Sequence, residues 1–280
     1  MTEMYRVSKV LNNNGVIAID MDENKEYVIL GKGVGFGKKV SQRFDKPEGC
    51  TTYRLEQETE RGSAKELVKG IEPEYLEIAD AILTESQKVF GDSIDRGILF
   101  PLADHISFAV ARIRRNEQIS NPLTEDIKVL FYSEFKVAET LKTILRERLQ
   151  IEIDDHEVGY VALHIHSAIG DEKVSVAMQT ARAVRECIDI IEKATGKPID
   201  VLSLSYNRLM NHMKYMVARA STGEKLNLDM NEYMLDQYPQ AYKVATDICK
   251  NLEGCIGHKL DETETGYLAM HIQRVYKDAV

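Results

Sequence analysis

Cysteine is scarce in this sequence, and its few copies form no CxxC pair. The 280 residues contain four, at Cys50, Cys187, Cys249 and Cys255. Four separated thiols are too few for a disulfide scaffold. Also absent are an apolar run near the roughly 18 residues of a membrane helix and a basic N-terminal segment followed by an apolar one. These absences predict a soluble protein of the reducing cytoplasm.

Sequence motifs for catalysis are also missing. There is no GxSxG motif. The glycine-rich GKGVGFGKK at 31–39 is not a P-loop, because Lys32 stands where that motif needs its first glycine and Lys39 where it needs Ser or Thr. We therefore expect a protein that is not an enzyme and has no cofactor.

The acidic charge is unevenly distributed. The whole chain has a formal net charge of −9. Residues 1–55 contain nine Lys and Arg against seven Asp and Glu, which is +2, so the remainder carries −11. Only the N-terminal segment is therefore expected to meet a polyanion.

The N-terminal residues have a β pattern. Short runs rich in β-branched residues are separated by Asn, Gly and Asp clusters, namely YRVSKVL, GVIAID, EYVILG and TTYRL. They predict a small antiparallel sheet of about four strands within a domain at 1–60. The polar segment ETERGSAKE follows and is typical of a linker.

From about residue 66 the apolar residues recur at helical spacing, as in LFYSEFKVAETLKTILRERL at 130–149. Prolines fall where helices would start or loops would run, at Pro73, Pro101, Pro122, Pro198 and Pro239. The fold class predicted is therefore multidomain, with a small all-β domain followed by all-α helical bundles.

The helical part contains an internal repeat. DHISFAVAR at 104–112 returns as NHMKYMVAR at 211–219, and EVGYVALHI at 157–165 returns as ETGYLAMHI at 264–272, both after 107 residues. Ten positions in these blocks are identical. We therefore expect two homologous helical domains, a first copy at 66–171 and a second copy at 173–280.

A helix-capping pattern also occurs in both copies of the repeat. Asp154 precedes Glu157 by three residues, as Asp261 precedes Glu264. An acceptor followed three residues later by Glu is typical of a helix N-terminus.

Each copy contributes two histidines, at His105 and His164 in the first copy and at His212 and His271 in the second. A single histidine on an apolar helix face is more often a hydrogen-bonded core residue than a functional one. Four that recur in register make the core interpretation less favoured. Histidine is also a nucleophile near neutral pH, and a phosphate added there can bias an interface.

A metal-dependent hydrolase is one alternative, using His156, His164 and His166. On a helix, however, residues two apart point about 200° from each other, so His164 and His166 could share a metal only on a strand. HEVGY at 156–160 also has Tyr160 where a zinc-protease motif needs its second histidine. Position 273 is glutamine, so His166 has no counterpart and is interpreted as an incidental surface residue.

Two loops of the β domain are suited to RNA. KVLNNNG at 9–15, the first loop, could be a simple turn, and GKGVGFGKK at 31–39, the second loop, a glycine-rich bulge. Together they offer asparagine amides for base edges, an aromatic ring at Phe36 for stacking, and lysines for phosphates. This combination favours an RNA with splayed bases.

These motifs, in this order and spacing, resemble the BglG/SacY-type transcriptional antiterminators. That family joins a co-antiterminator RNA-binding domain to two PTS regulation domains, and the resemblance covers essentially the whole chain. GVGFGKK is most similar to the glucose-type members. The resemblance implies a dimer that binds a leader-mRNA hairpin and prevents a terminator from forming.

The resemblance also implies which residues function. The RNA-binding residues would be Lys9, Asn12, Asn13, Asn14, Gly31, Lys32, Gly33 and Phe36. The phosphoacceptors would be His105, His164, His212 and His271. A sugar-specific enzyme II would phosphorylate the first copy and inactivate the protein, whereas HPr would phosphorylate the second copy.

A shift between dimer arrangements is the expected switch, because phosphate would repel carboxylates across an interface of this acidic region. A DNA-binding activator with the same regulatory domains is a second alternative. It would need a helix-turn-helix, whereas residues 1–55 have a β pattern.

Overall fold

The computed structural model describes residues 4–56, 58–59, 62–170, 173–196, 198–200 and 203–278. They confirm the predicted fold class, an antiparallel sheet followed by helices. The strands are β1 (Met4–Asn12), β2 (Gly15–Asp20), β3 (Glu26–Leu30), β4 (Arg43–Asp45), β5 (Thr51–Arg54), β6 (Glu58–Thr59) and β7 (Gly62–Ser63).

Twelve α-helices occur in the described ranges. They are α1 (Ala64–Gly70), α2 (Pro73–Phe90), α3 (Leu99–Arg114), α4 (Thr124–Leu130), α5 (Tyr132–Ala138), α6 (Thr140–Leu149), α7 (Asp155–Gly170), α8 (Val174–Thr195), α9 (Leu204–Thr222), α10 (Asn231–Gln237), α11 (Pro239–Ile256) and α12 (Glu264–Asp278). Across the residues that the structure describes, no helix combines the length and apolarity needed to cross a membrane.

Five strands form the main sheet, in the order β4-β1-β2-β3-β5, with every neighbouring pair antiparallel. Alternating residues of β1, such as Tyr5 and Val7, are buried in its core with Val16 and Phe44. Four of these strands match the predicted runs. β4 was not predicted, because three residues with a single buried side chain give no alternating pattern.

The predicted linker ETERGSAKE is more ordered than its composition suggests. In it β6 pairs with β7, and α1 begins at Ala64. Glu60 and Arg61 lie outside the described residues. Backbone pairing between two short strands does not depend on apolar side chains, so the polar composition concealed it.

Two helices start at prolines that the sequence singled out. Pro73 and Pro239 occupy the first turns of α2 and α11, where the fixed φ of proline suits a helix. The segment 130–149 is helical but interrupted, because α4 ends at Leu130, α5 ends at Ala138 and α6 begins at Thr140. Its second-copy counterpart after 107 residues is the single helix α11.

The chain forms two compact units. The first unit contains the residues up to Asn121 and the stretch Ser133–Lys173, and the second contains Pro122–Tyr132 and the residues from Val174 onward. The second unit therefore includes α4, which packs on α8 and α9 although its sequence lies in the first copy. A buried hydrogen bond from the Tyr206 hydroxyl to Asp126 Oδ1, at 3.1 Å, helps to hold it there.

Candidate functional sites

The two predicted RNA loops lie against each other and are joined by hydrogen bonds. The backbone N–H of Gly31 donates to the Asn14 carbonyl oxygen, and that of Gly35 to the Asn13 carbonyl oxygen, both at 2.9 Å. The N–H of Gly33 donates to the Asn14 side-chain oxygen at 3.0 Å. Backbone and side-chain bonds therefore combine the two loops into one surface.

Gly35 is needed for this contact and was not predicted as a site residue. A Cβ at position 35 would lie 2.0 Å from the Asn12 carbonyl oxygen and 3.1 Å from that of Gly15. The signal available in the sequence was the glycine run itself. Close approach of the backbone to the first loop explains this glycine without a ligand.

Side chains of the second loop point in opposite directions. Val34 is buried in the core of the sheet, whereas Phe36 is 75% exposed. Lys9 and Lys32 are exposed, as is Asn13. A hydrophobic anchor on one side and an unburied aromatic ring on the other suit a platform on which a base can stack.

Asn12 and Asn14 have partners outside the sheet. The Asn12 amide nitrogen donates to Glu77 Oε1 at 2.6 Å, and that of Asn14 to Glu77 Oε2 at 3.1 Å. Glu77 belongs to α2 in the first helical copy, within the same unit. Nothing in the sequence pointed to this carboxylate.

The four repeated histidines form two pairs. His105 on α3 and His164 on α7 have ring centroids 5.3 Å apart, and His212 on α9 and His271 on α12 have centroids 4.8 Å apart. Within each copy the structure therefore brings together the two histidines that the repeat singled out.

A glutamate and an arginine complete the first histidine cluster. Glu157 Oε2 lies 3.4 Å from His105 Nε2, and Glu157 Oε1 accepts a hydrogen bond from Arg112 at 2.8 Å. Burial favours a higher pKa for Glu157, but hydrogen bonds and charges from His105 and Arg112 outweigh it and lower that pKa. The ring of Tyr160 lies 5.7 Å from that of His105.

The second histidine cluster repeats these partners. Glu264 Oε2 lies 3.6 Å from His212 Nε2, and Arg219 donates to both Glu264 oxygens at 2.6 and 3.0 Å. Tyr267 stacks beside His212, with centroids 6.2 Å apart. The cluster of Arg, Glu, Tyr and two His therefore occurs twice.

Burial keeps the second pair neutral. The pKa of His212 is lowered to about 3, first by burial and then by electrostatic repulsion from His271 and Arg219. The pKa of His271 is lowered to about 4, first by burial and then by Arg274 and Arg208. A neutral imidazole retains the nitrogen lone pair that a nucleophile needs.

The predicted capping acceptor is confirmed in the first copy. Asp154 accepts hydrogen bonds from the backbone N–H groups of His156 and Glu157, at 3.0 and 3.2 Å. The glutamates of the pattern do not return to the cap, because their carboxylates bind Arg112 and Arg219. The signal that could have identified them was present, since Glu and Arg are identical in both copies.

The remaining histidines of the metal hypothesis have other contacts. His166 is half-buried, with Nδ1 2.9 Å from the buried Glu134, and is therefore not a simple surface residue. His156 Nδ1 accepts from the Asn121 backbone N–H at 3.3 Å. In the part of the chain that the structure describes, no three His, Cys, Asp or Glu side chains are grouped to hold a metal.

Two family models match this chain. A model described as the CAT RNA binding domain matches residues 5–62. A model described as the PRD domain matches twice, over 80–168 and 185–275, which together exceed half of the chain. The three matches follow the order of the sheet and the two helical copies.

Similar proteins match along nearly their whole length. The GlcA/glcB genes antiterminator of Staphylococcus carnosus is 30% identical, covering 96% of this chain and 94% of that protein. The transcription antiterminator LicT of Bacillus subtilis is 27% identical, covering 98% and 100%. A crystal structure of GlcT CAT-PRDI is 29% identical with a TM-score of 0.52, covering 60% of this chain and 99% of that one.

Proposed function

This chain belongs to the family of transcriptional antiterminators that join a CAT RNA-binding domain to two PRD domains, and on that premise we propose how its sites act. It is a PTS-regulated transcriptional antiterminator. The observation that carries the proposal is the pair of hydrogen-bonded loops, which present one surface beside the exposed Phe36.

The proposed RNA surface consists of the first and second loops. It binds a hairpin in leader mRNA as a homodimer and prevents the terminator from forming. Asparagine amides contact base edges, Phe36 stacks on an unpaired base, and lysines meet phosphates. The residues assigned are Lys9, Asn12, Asn13, Asn14, Gly31, Lys32, Gly33 and Phe36.

The test of this surface is Phe36→Ala in the full chain. Removal of one stacked base should weaken hairpin binding by about 1–3 kcal/mol, measured by fluorescence anisotropy. Val89→Ala is the matched control, because Val89 is also an exposed apolar side chain and lies on α2. Equal affinities of Phe36→Ala and Val89→Ala would refute the assignment.

The proposed phosphoacceptors are His105, His164, His212 and His271. The donors would be a sugar-specific enzyme II for the first copy and HPr for the second. The neutral state of His212 and His271 supports this role, because a phosphoryl group is accepted by an unprotonated ring nitrogen. None of these four side chains needs a metal or a cofactor for this role, and the protein itself acts as a switch and not as an enzyme.

A phosphate at His105 would also disturb its own cluster. It would add close to two negative charges a few ångströms from Glu157, whose carboxylate already faces the ring. Each pair of like charges at 4 Å costs from about 1 kcal/mol in water to about 4 kcal/mol near a protein surface. Arg112 is the cation available to both groups, so phosphorylation would compete with the bond between Arg112 and Glu157.

A phosphotransfer assay tests the acceptors. The chain is incubated with phosphoenolpyruvate, enzyme I, HPr and several candidate permeases, and labelled histidines are identified by mass spectrometry at alkaline pH. We expect label at the repeated positions. Alanine at those positions should remove it, whereas the control variant His258→Ala should retain it. Label confined to other histidines would refute the proposal.

A further inference from the structure

The proposed RNA surface is engaged by the protein's own first helical copy. Asn12 and Asn14 both direct their amide nitrogens at Glu77, one to each carboxylate oxygen, at 2.6 and 3.1 Å. Glu77 lies 65 residues from Asn12 along the chain, and its side chain is only 19% exposed. The contact is therefore between domains of one unit and largely shielded from water.

The hydrogen bonds inside the loops leave these amide groups as the available donors. Asn12 Oδ1 accepts from the Asn14 backbone N–H at 2.8 Å, and Asn14 Oδ1 accepts from the Gly33 N–H at 3.0 Å. Both side-chain acceptors are thus used in holding the loops together. What the two side chains offer to a ligand is their N–H groups, and these face Glu77.

Glu77 is held in place independently of the asparagines. On α6, Arg148 lies 3.7 Å from Glu77 Oε2. One turn along α2, on the same face, Asp80 accepts hydrogen bonds from Arg96 at 2.8 Å and from Tyr53 of β5. Two carboxylates three residues apart on α2 therefore attach this helix to the sheet, one at β5 and one at the first loop.

An acceptor on RNA cannot occupy the place of the Glu77 carboxylate while that carboxylate is there. Its negative charge also repels the phosphates of an approaching strand. Binding of RNA at Asn12 and Asn14 therefore requires α2 to move from the first loop, or its carboxylate to turn away.

We propose that Glu77 is an internal competitor for RNA, so that contact of α2 with the first loop lowers the RNA affinity of the full chain. This inference rests on the proposed RNA surface. It makes apparent affinity depend on the fraction of molecules in which Glu77 is released, because only that fraction can bind.

The test compares full-length variants on one probe, a fluorescein-labelled RNA hairpin selected against the wild-type chain from a pool with randomised internal loops. Glu77→Ala should bind this hairpin about tenfold more tightly than wild type, which corresponds to about 1.4 kcal/mol. Glu77→Gln, which keeps one acceptor but loses the charge, should lie between them.

Glu85→Gln is the matched control. It removes the same charge from the same helix, and Glu85 binds Lys88 at 2.6 Å instead of the first loop. It should bind the hairpin as wild type does. If it binds as tightly as Glu77→Ala, general charge and not competition explains the effect, and the inference is wrong.

A spectroscopic measurement tests the contact without RNA. The side-chain amide resonances of Asn12 and Asn14 should shift in Glu77→Gln and stay unchanged in Glu85→Gln. Unshifted resonances in Glu77→Gln would contradict the contact, and equal hairpin affinities of Glu77→Ala and wild type would contradict the competition.

The proposed RNA surface and the proposed competitor can be refuted separately. If selection enriches no hairpin, or if Phe36→Ala binds the hairpin normally, the RNA surface itself is wrong. If Phe36→Ala loses the hairpin while the Glu77 variants match wild type, the surface stands and the competitor is refuted.

Discussion

Glu157 and Glu264 each contact an arginine and a histidine that lie together on a neighbouring helix. Arg112 and His105 lie on α3, and Arg219 and His212 lie on α9. Each glutamate comes from the first turn of the helix that carries the second histidine. One carboxylate therefore aligns the two helices of each copy so that their histidines meet.

Burial of His212 makes the second unit sensitive to acid. The folded-state pKa of about 3 lies below the ordinary value of 6.5, so between these values the unfolded chain binds a proton that the folded one does not. The stability that depends on neutral His212 is fully present above pH 6.5 and is lost as the pH falls toward 3. At pH 5 the loss from His212 is about 2 kcal/mol.

Urea denaturation of wild type and His212→Gln between pH 7 and pH 5 measures this loss. The variant should lose less stability over this interval, by the stated amount. His258→Gln, at an exposed histidine of the same unit, should keep the wild-type pH dependence. Identical pH dependence of His212→Gln and wild type would show that His212 does not resist protonation in the folded state.

At the scale of elements, the β domain depends on close contact between two loops. Gly35→Ala would place a methyl group 2.0 Å from the Asn12 carbonyl oxygen, so the loops must separate. We expect a loss of about 1–3 kcal/mol in the stability of the sheet domain, together with weaker RNA binding. Thermal unfolding and anisotropy measure the two effects.

Gly254→Ala is the control for this substitution. Gly254 lies within α11, and a Cβ there meets nothing within 4 Å. Alanine is favoured over glycine inside a helix, so that variant should be as stable as wild type or slightly more so. A Gly35→Ala protein that matches it would show that the loop contact can relax without cost.

Gly266 shows a similar constraint in the helical region. A Cβ there would lie 2.8 Å from the backbone of Met230 and Asn231, where α10 begins. The repeat marked this glycine, together with Gly159, as identical in both copies. Its role in the second copy is close packing of α12 against the start of α10.

The features of this chain that could be predicted were those with a periodic or repeated sequence pattern. Alternation in β1 and β2, helical spacing, and the 107-residue repeat located the sheet, the helices and both histidine pairs. Glu77 has no such signature, because its partners are 63 and 65 residues away and depend on how α2 meets the sheet. The strand β4 was too short to give a period.

At the scale of the whole molecule, the repeat and the packing divide the chain differently. Helix α4 at Thr124–Leu130 corresponds after 107 residues to α10 at Asn231–Gln237. Helix α10 packs on α11 and α12 of its own copy, whereas α4 packs on α8 and α9. Sequence similarity therefore assigns α4 to the first copy, and contacts assign it to the second unit.

Ile127→Ala tests this assignment. Ile127 is fully buried in α4, so its truncation should cost about 2–4 kcal/mol and loosen the second unit. Hydrogen exchange measured by mass spectrometry should accelerate in α8 and α9 and remain unchanged in α2 and α3. Leu141→Ala, at a buried residue of α6 in the first unit, should give the opposite pattern. Acceleration of α2 and α3 by Ile127→Ala would place α4 with the first unit.

The placement of α4 also determines how many covalent links join the two units. The backbone passes from one to the other after Asn121, returns after Tyr132 and passes again after Lys173. A protease that cuts the chain at any one of these crossings leaves two intact. Separation into independent fragments therefore requires three cleavages, and a single nick leaves one molecule whose units are still tethered.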